Sequence, residues 1–176
     1  MPHRWGMFRW VLVLVAGFLA GYAVASSEDL SNLKNYQVNT ATMVSAGLPD
    51  AAHFKVLKSQ GVTRVIDLIP GDRGEEKQLV DELGLDYHNI QVEWEHPTVA
   101  NFVDYVTYME SNPAPGKTLT HCKLNWRGAV FTYLYRVVRL QEDEAVARKD
   151  LDAIWQPNDT WQNFIGQVKH HYQTIE

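Results

Sequence analysis

The stretch Lys117-Thr118-Leu119-Thr120-His121-Cys122-Lys123-Leu124-Asn125-Trp126-Arg127-Gly128 joins two patterns of different period. Lys117 to His121 reads as a short strand, more polar than a buried strand usually is. From Trp126 to Leu140, residues Ala129, Val130, Tyr133, Leu134, Val137 and Val138 fall on one helical face. Cys122 to Arg127 is therefore the turn from a strand into a helix. Upstream the same alternation recurs. Val62 to Ile69 is a nearly continuous apolar run, the pattern of a strand buried on both faces. Tyr87 to Val92 reads as another strand, and Tyr36 to Asn39 and Met43 to Ser45 as short edge strands. Pro49-Asp50 opens a helix carrying Phe54 and Leu57, which Gly61 closes. Glu75 to Leu83 reads as a helix stopped at Gly84. Pro97 suits the first turn of a helix carrying Val99, Phe102, Val106 and Met109. Glu142 to Tyr172 reads as two helices broken at Pro157. Strands alternating with helices predict an α/β fold, a mainly parallel sheet flanked by helices.

In such sheets ligands bind at the carboxyl ends of the strands, and Cys122 lies at one. The amides of a strand-to-helix turn and of the helix's first turn lack intrahelical partners and favour an anion. The helix dipole adds to this. Arg127 adds a full charge in a planar fork that matches an oxyanion. These groups stabilise a thiolate and can hold a tetrahedral oxyanion above it, so nucleophile and oxyanion site come from one loop. Lys123, Leu124, Asn125, Trp126 and Arg127 are the expected substrate-binding residues. The plainer alternative is that Cys122 is a small buried hydrophobe ending a strand.

The chain has 176 residues, 45% hydrophobic and 21% charged, which is ordinary globular composition. Met1 to Trp10 carries Arg4 and Arg9 and no acid, Val11 to Val24 is apolar, and Ala23-Val24-Ala25 matches a cleavage pattern. Residues 1–25 thus read as a signal peptide or, uncleaved, as an N-terminal membrane anchor. The apolar run is shorter than the ~20 residues of a comfortable span. The expected layout is leader 1–25, linker 26–35 and one domain 36–176, exported, with the bacterial periplasm as its compartment. Without Arg4 and Arg9 the 16 basic residues fall to 14 against 21 acidic, a net −7. That balance, with no basic tract, argues against nucleic acid as a partner. Cys122 is the single cysteine, so it forms no internal disulfide. His53, His88, His96 and the adjacent His170-His171 show no metal-ligand spacing, and no cofactor is expected.

His121-Cys122 followed by Arg127-Gly128 resembles the signature of cysteine-dependent protein phosphatases. More narrowly, the chain resembles a bacterial family of small phosphatase-like domains also found beside beta-lactamase-like hydrolases. The likeness runs from about Tyr36 to Phe164. It includes Phe131-Thr132-Tyr133-Leu134-Tyr135-Arg136 and Trp155-Gln156-Pro157-Asn158 with Trp161. It implies a phosphatase-like α/β fold. Two departures stand out. The usual phosphatase loop has one more residue between Cys and Arg than the four here. The shorter loop is similar to that of rhodanese-type sulfurtransferases, which carry a persulfide. In addition, Gly128 stands where phosphatases usually have Ser or Thr.

A phosphatase also needs a proton donor for the leaving oxygen. Glu93-Trp94-Glu95-His96-Pro97 lies 25 to 29 residues before Cys122, about where the resemblance puts the acid loop. Glu95 is the first candidate and Glu93 the second, the alternative being a solvated acid near a helix start. Asp72 and Arg73 are candidates for the pocket rim. The leading expectation is a phosphatase using Cys122, Arg127 and Glu95 on a phosphorylated small molecule or protein. The rivals are a sulfurtransferase loading Cys122 from an anionic sulfur donor, and a non-catalytic module that binds phosphorylated ligands.

Overall fold

The computed structural model describes residues 30–111 and 115–174. The leader lies outside them. The chain folds as β1 (Gln37–Val38), β2 (Met43–Ala46), α1 (Ala51–Ser59), β3 (Val62–Asp67), α2 (Gly74–Glu82) and β4 (Asp86–Asn89). It continues as α3 (Val99–Glu110), β5 (Lys117–His121), α4 (Trp126–Val138), α5 (Glu144–Ile154) and α6 (Asp159–Gln173). The sheet order is β1-β2-β5-β3-β4. β1 pairs antiparallel with β2, and the other pairings are parallel. The expected α/β class is what the chain adopts.

β5 runs between β2 and β3 despite its polar sequence. Its side chains are occupied rather than wet. Leu119 packs with Val44, Val65 and Phe54 on one face. The Thr120 hydroxyl shares a 2.9 Å hydrogen bond with the buried Tyr105 hydroxyl. A buried hydroxyl so paired escapes most of its desolvation cost.

Helices cover both faces, as strand faces that are both apolar require. One core joins α3, α4, α5 and α6 to the sheet through Phe102, Tyr105, Phe131, Leu134, Leu151, Trp161 and Phe164. The other lies under α1 and α2 and holds Phe54, Leu57, Val65, Val80 and Leu119. Arg136, buried in α4, forks onto Glu142 with two 2.7 Å contacts and also bonds Asp150, which fastens α5 to α4.

Three expectations are corrected. β2 is not an edge strand: all four of its residues are buried between β1 and β5. Residues 30–35, expected as linker, belong to the domain, because Leu30 and Leu33 are buried in the second core. Pro97 lies outside the first turn of α3, because Thr98 is its N-cap and takes the Asn101 amide.

Candidate active site

Cys122 directly follows β5, and α4 begins at Trp126, so the loop sits at the carboxyl end of a central strand. The thiol is almost fully enclosed, at 1% exposure. The loop is shaped from outside by residues far away in sequence. The Leu48 N–H donates to Lys123 O at 3.2 Å, and Asn35 Nδ2 donates to Leu124 O at 2.8 Å. There is no cis peptide among the described residues. In a trans peptide C=O and N–H point opposite ways. The Lys123 carbonyl, drawn outward, therefore turns the Leu124 amide inward, while Leu124 itself bridges Gly47 at the end of β2. Asn125 makes the turn into α4 in the left-handed region (φ 62°, ψ 8°). Its Nδ2 donates to Asn35 O at 2.8 Å and to Ser45 Oγ at 3.0 Å. The first-turn amides of α4 follow, with their dipole directed at the loop.

Arg127 is only 9% exposed, and its Nε–H has no hydrogen-bond partner among the described residues. Its guanidinium carbon lies 5.5 Å from the centre of the Trp94 ring. An unpaired buried donor on a cation is costly unless an anion takes it up. Cys122, Lys123, Leu124, Trp126 and Arg127 line one cavity of about 200 Å³ together with Trp94. Asn125 is the exception among the expected binding residues. It is fully buried behind the loop and shapes it.

The second sequence departure has a structural cause. A Cβ at Gly128 would lie 2.4 Å from Asn125 Oδ1 and 3.4 Å from Thr120 O. The asparagine carboxamide that braces the shortened loop occupies the space a serine or threonine would need. Gly128 and Asn125 are two halves of one solution.

The cavity's remaining wall is aromatic. Trp94 packs on Trp126 at 5.6 Å, on Trp155 at 5.4 Å and on Trp161 at 5.2 Å. Trp155 stacks on Trp126 and donates to its carbonyl at 2.9 Å. Trp161 donates to Trp94 O at 3.1 Å. Glu95, the acid the sequence put forward, is not among the cavity's lining residues. It is exposed and lines a separate depression with Pro97, Thr98, Thr160 and Phe164. Glu93 is exposed as well. Burial alternates from Gln91 to Glu95, with Val92 and Trp94 inward and the two acids outward. That i, i+2 rhythm was the available signal: if Trp94 faces in, both glutamates face out.

Asp72 and Arg73 do not rim this cavity. They line another depression with Gly71, Tyr87 and Gln91. Arg73 turns inward to a buried cluster that sequence reasoning missed. Its Nε donates to Asp67 Oδ2 at 2.5 Å, it also pairs with Glu76, and Tyr87 donates to Asp67 Oδ2 at 2.8 Å. His121 completes the group, with Nε2 3.0 Å from Glu76 Oε1 and 3.9 Å from Asp67 Oδ1. Burial pushes the Glu76 carboxyl up, but the nearby His121 imidazole and the charge of Arg73 outweigh it and hold it below the usual carboxylate range. Asp67, Glu76 and His121 offer three ligand atoms within 4.8 Å of one another. Metal spacing was invisible in the sequence because the set is assembled from β3, α2 and β5. Both of its carboxylates already face the Arg73 guanidinium. The Asp67, Arg73 and Glu76 cluster thus holds His121, the residue before Cys122, on the side of β5 away from the cavity.

No family model and no curated protein matches the chain. Solved structures do. A DUF442 protein from Shewanella putrefaciens CN-32, provisionally named a phosphatase, is 30% identical over 84% of this chain and 96% of its own, with a TM-score of 0.70. TpbA from P. aeruginosa superposes at 0.66 over 81% of this chain and 91% of its own, with 17% identity. The core catalytic domain of the PP-IP phosphatase Siw14 from S. cerevisiae does so at 0.65 over 81% and 93%, with 14% identity. The last two matches speak to the fold alone.

Proposed function

The chain belongs to the DUF442 family, and from that premise we propose that it is a cysteine-dependent phosphatase that hydrolyses phosphate monoesters. The observation that carries the reading is the pairing of Cys122 with Arg127 in one cavity, the arginine buried and its Nε–H without a partner among the described residues. In this mechanism Cys122 Sγ attacks phosphorus, and the ester oxygen leaves with the electron pair of the breaking P–O bond. Arg127 and the inward amides hold the phosphoryl oxygens, whose charge is greatest in the transition state. Water then attacks the phosphocysteine, releasing phosphate and restoring the thiol. Lys123, exposed at the rim, adds positive charge where the dianion enters. Phosphorylated small molecules and phosphoproteins are both admissible substrates. TpbA has been solved with pTyr bound.

The short loop also suits a persulfide carrier. The likeness to phosphatases over four fifths of the chain favours phosphoryl transfer. In this reading residues 1–25 export the domain, to the periplasm in a bacterium, as cleaved signal or as anchor. Among the described residues no helix is long and apolar enough to cross a membrane.

The test is to incubate the protein and its Cys122→Ser variant with an aryl phosphate or with thiosulfate, then weigh the intact chains. Phosphate release that the variant loses supports the proposal. A gain of one sulfur atom on the wild type alone, without phosphate release, refutes it in favour of sulfur transfer.

A further inference from the structure

Among the described residues the cavity holds a nucleophile and two cations but no proton donor of the kind phosphatases use. Its lining is Trp94, Cys122, Lys123, Leu124, Trp126 and Arg127, with neither carboxylate nor imidazole. Trp94 is the residue that the segment from Glu93 to Pro97 presents to the cavity. The indole is held by contacts with three other tryptophans at 5.2 to 5.6 Å, and its carbonyl accepts from Trp161 Nε1. The alternation along residues 91–95 then directs Glu93 and Glu95 outward, Glu95 toward α6. Bringing either acid to the thiol would require turning Trp94 out of that packing.

Building on the phosphatase reading above, we propose that this site works without a general acid and is restricted to phosphate esters whose leaving oxygen departs as a stable anion, aryl phosphates above all. The step balances without a donor. The S–P bond forms, the P–O bond breaks, the oxygen leaves as a phenoxide, and it takes its proton from bulk water outside the cavity. A phenol ionises at about pH 10, whereas an aliphatic alcohol, like water, gives up its proton only far above that. Unassisted departure of an alkoxide is therefore far slower than that of a phenoxide. The same wall that displaces the acid suits an aryl group, because the indoles of Trp94 and Trp126 offer flat apolar faces for offset or edge contact. Phosphoserine, phosphothreonine and sugar phosphates are disfavoured on both counts.

The experiment measures kcat/KM for 4-nitrophenyl, phenyl and benzyl phosphate, in order of rising leaving-group pKa. That constant reports the first irreversible step, before phosphocysteine hydrolysis. Wild type, Glu95→Gln and Glu93→Gln are compared. General acid catalysis is worth about 10²- to 10⁴-fold. The expected result is a fall of at least about 10²-fold from 4-nitrophenyl to phenyl phosphate, no benzyl phosphate turnover, and the same slope in both variants. A shallow dependence in the wild type that steepens in Glu95→Gln or Glu93→Gln overturns the proposal and leaves the phosphatase reading intact. Absence of Cys122-dependent turnover of every ester overturns both.

Discussion

Replacing Gly128 by serine restores the hydroxyl that phosphatases usually carry after the arginine, and here it should do harm. The new Cβ would stand 2.4 Å from Asn125 Oδ1 and 3.4 Å from Thr120 O. The carboxamide cannot step aside freely, because Nδ2 is bound to both Asn35 O and Ser45 Oγ. Overpacking of a dense site costs about 1–3 kcal/mol. Swinging the carboxamide away instead gives up two hydrogen bonds at about 0.5–1.5 kcal/mol each. Either route comes to about 2 kcal/mol. For a domain of this size 1 kcal/mol moves Tm by roughly 2–4 °C, so the melt should fall by about 4–8 °C. The decisive assay is a double-mutant cycle followed by thermal unfolding. Asn125→Gly removes the obstructing oxygen, and glycine accepts the φ of 62° without strain. In that background Gly128→Ser should cost little, which gives a favourable coupling of at least about 1 kcal/mol. If Gly128→Ser melts like the wild type and the two changes are additive, the claim that Asn125 occupies the serine's place is wrong.

Two further outcomes follow from the same geometry. Arg127→Lys keeps the charge but loses the fork, and kcat/KM for an aryl phosphate should drop by about 10²-fold or more while the melting temperature stays near that of the wild type. Glu76→Gln leaves Arg73 and His121 short of a buried partner and should cost about 3 kcal/mol at neutral pH. Because the folded Glu76 carboxyl lies below its unfolded value of about 4.3, its contribution is full above that pH and is lost as pH falls through the folded value. Acid titrations of stability should therefore be flatter in Glu76→Gln than in the wild type, and equal slopes would refute the role assigned to the cluster.

The parts of the fold that rest on local pattern were legible. The apolar run of β3, the helical spacing of apolar residues in α4 and the breaks at Gly61, Gly84 and Pro157 set class and element order, although α4 is buried on every side from Arg127 to Arg136 and not on one face. Cys122 and Arg127 were found together because they lie on one short loop. What escaped depends on contacts distant in sequence. β2 looked like an edge because its four residues cannot say that β5 will insert beside them. Leu30 and Leu33 looked like linker because two apolar residues among polar ones carry no period, yet they fill a gap in the second core. The Asp67, Arg73, Glu76 and His121 cluster draws on three separate places in the chain, β3, the start of α2 and β5. Glu95 was chosen for its distance from Cys122 in the sequence, and distance does not say which way a side chain faces.

The two asparagine bonds that brace the loop, Asn35 to Leu124 and Asn125 to Asn35, join positions 89 and 90 residues apart. Closing so large a loop is entropically expensive and kinetically late. A chain that emerges N-terminus first must hold residues 30–48 ready until residues 117–128 arrive. Until then the single thiol is open to oxidants and mixed disulfides, and after docking it is 1% exposed. The time at which Cys122 ceases to react with a soluble thiol reagent during refolding is therefore a clock for completion of the domain, read at the residue whose chemistry depends on it.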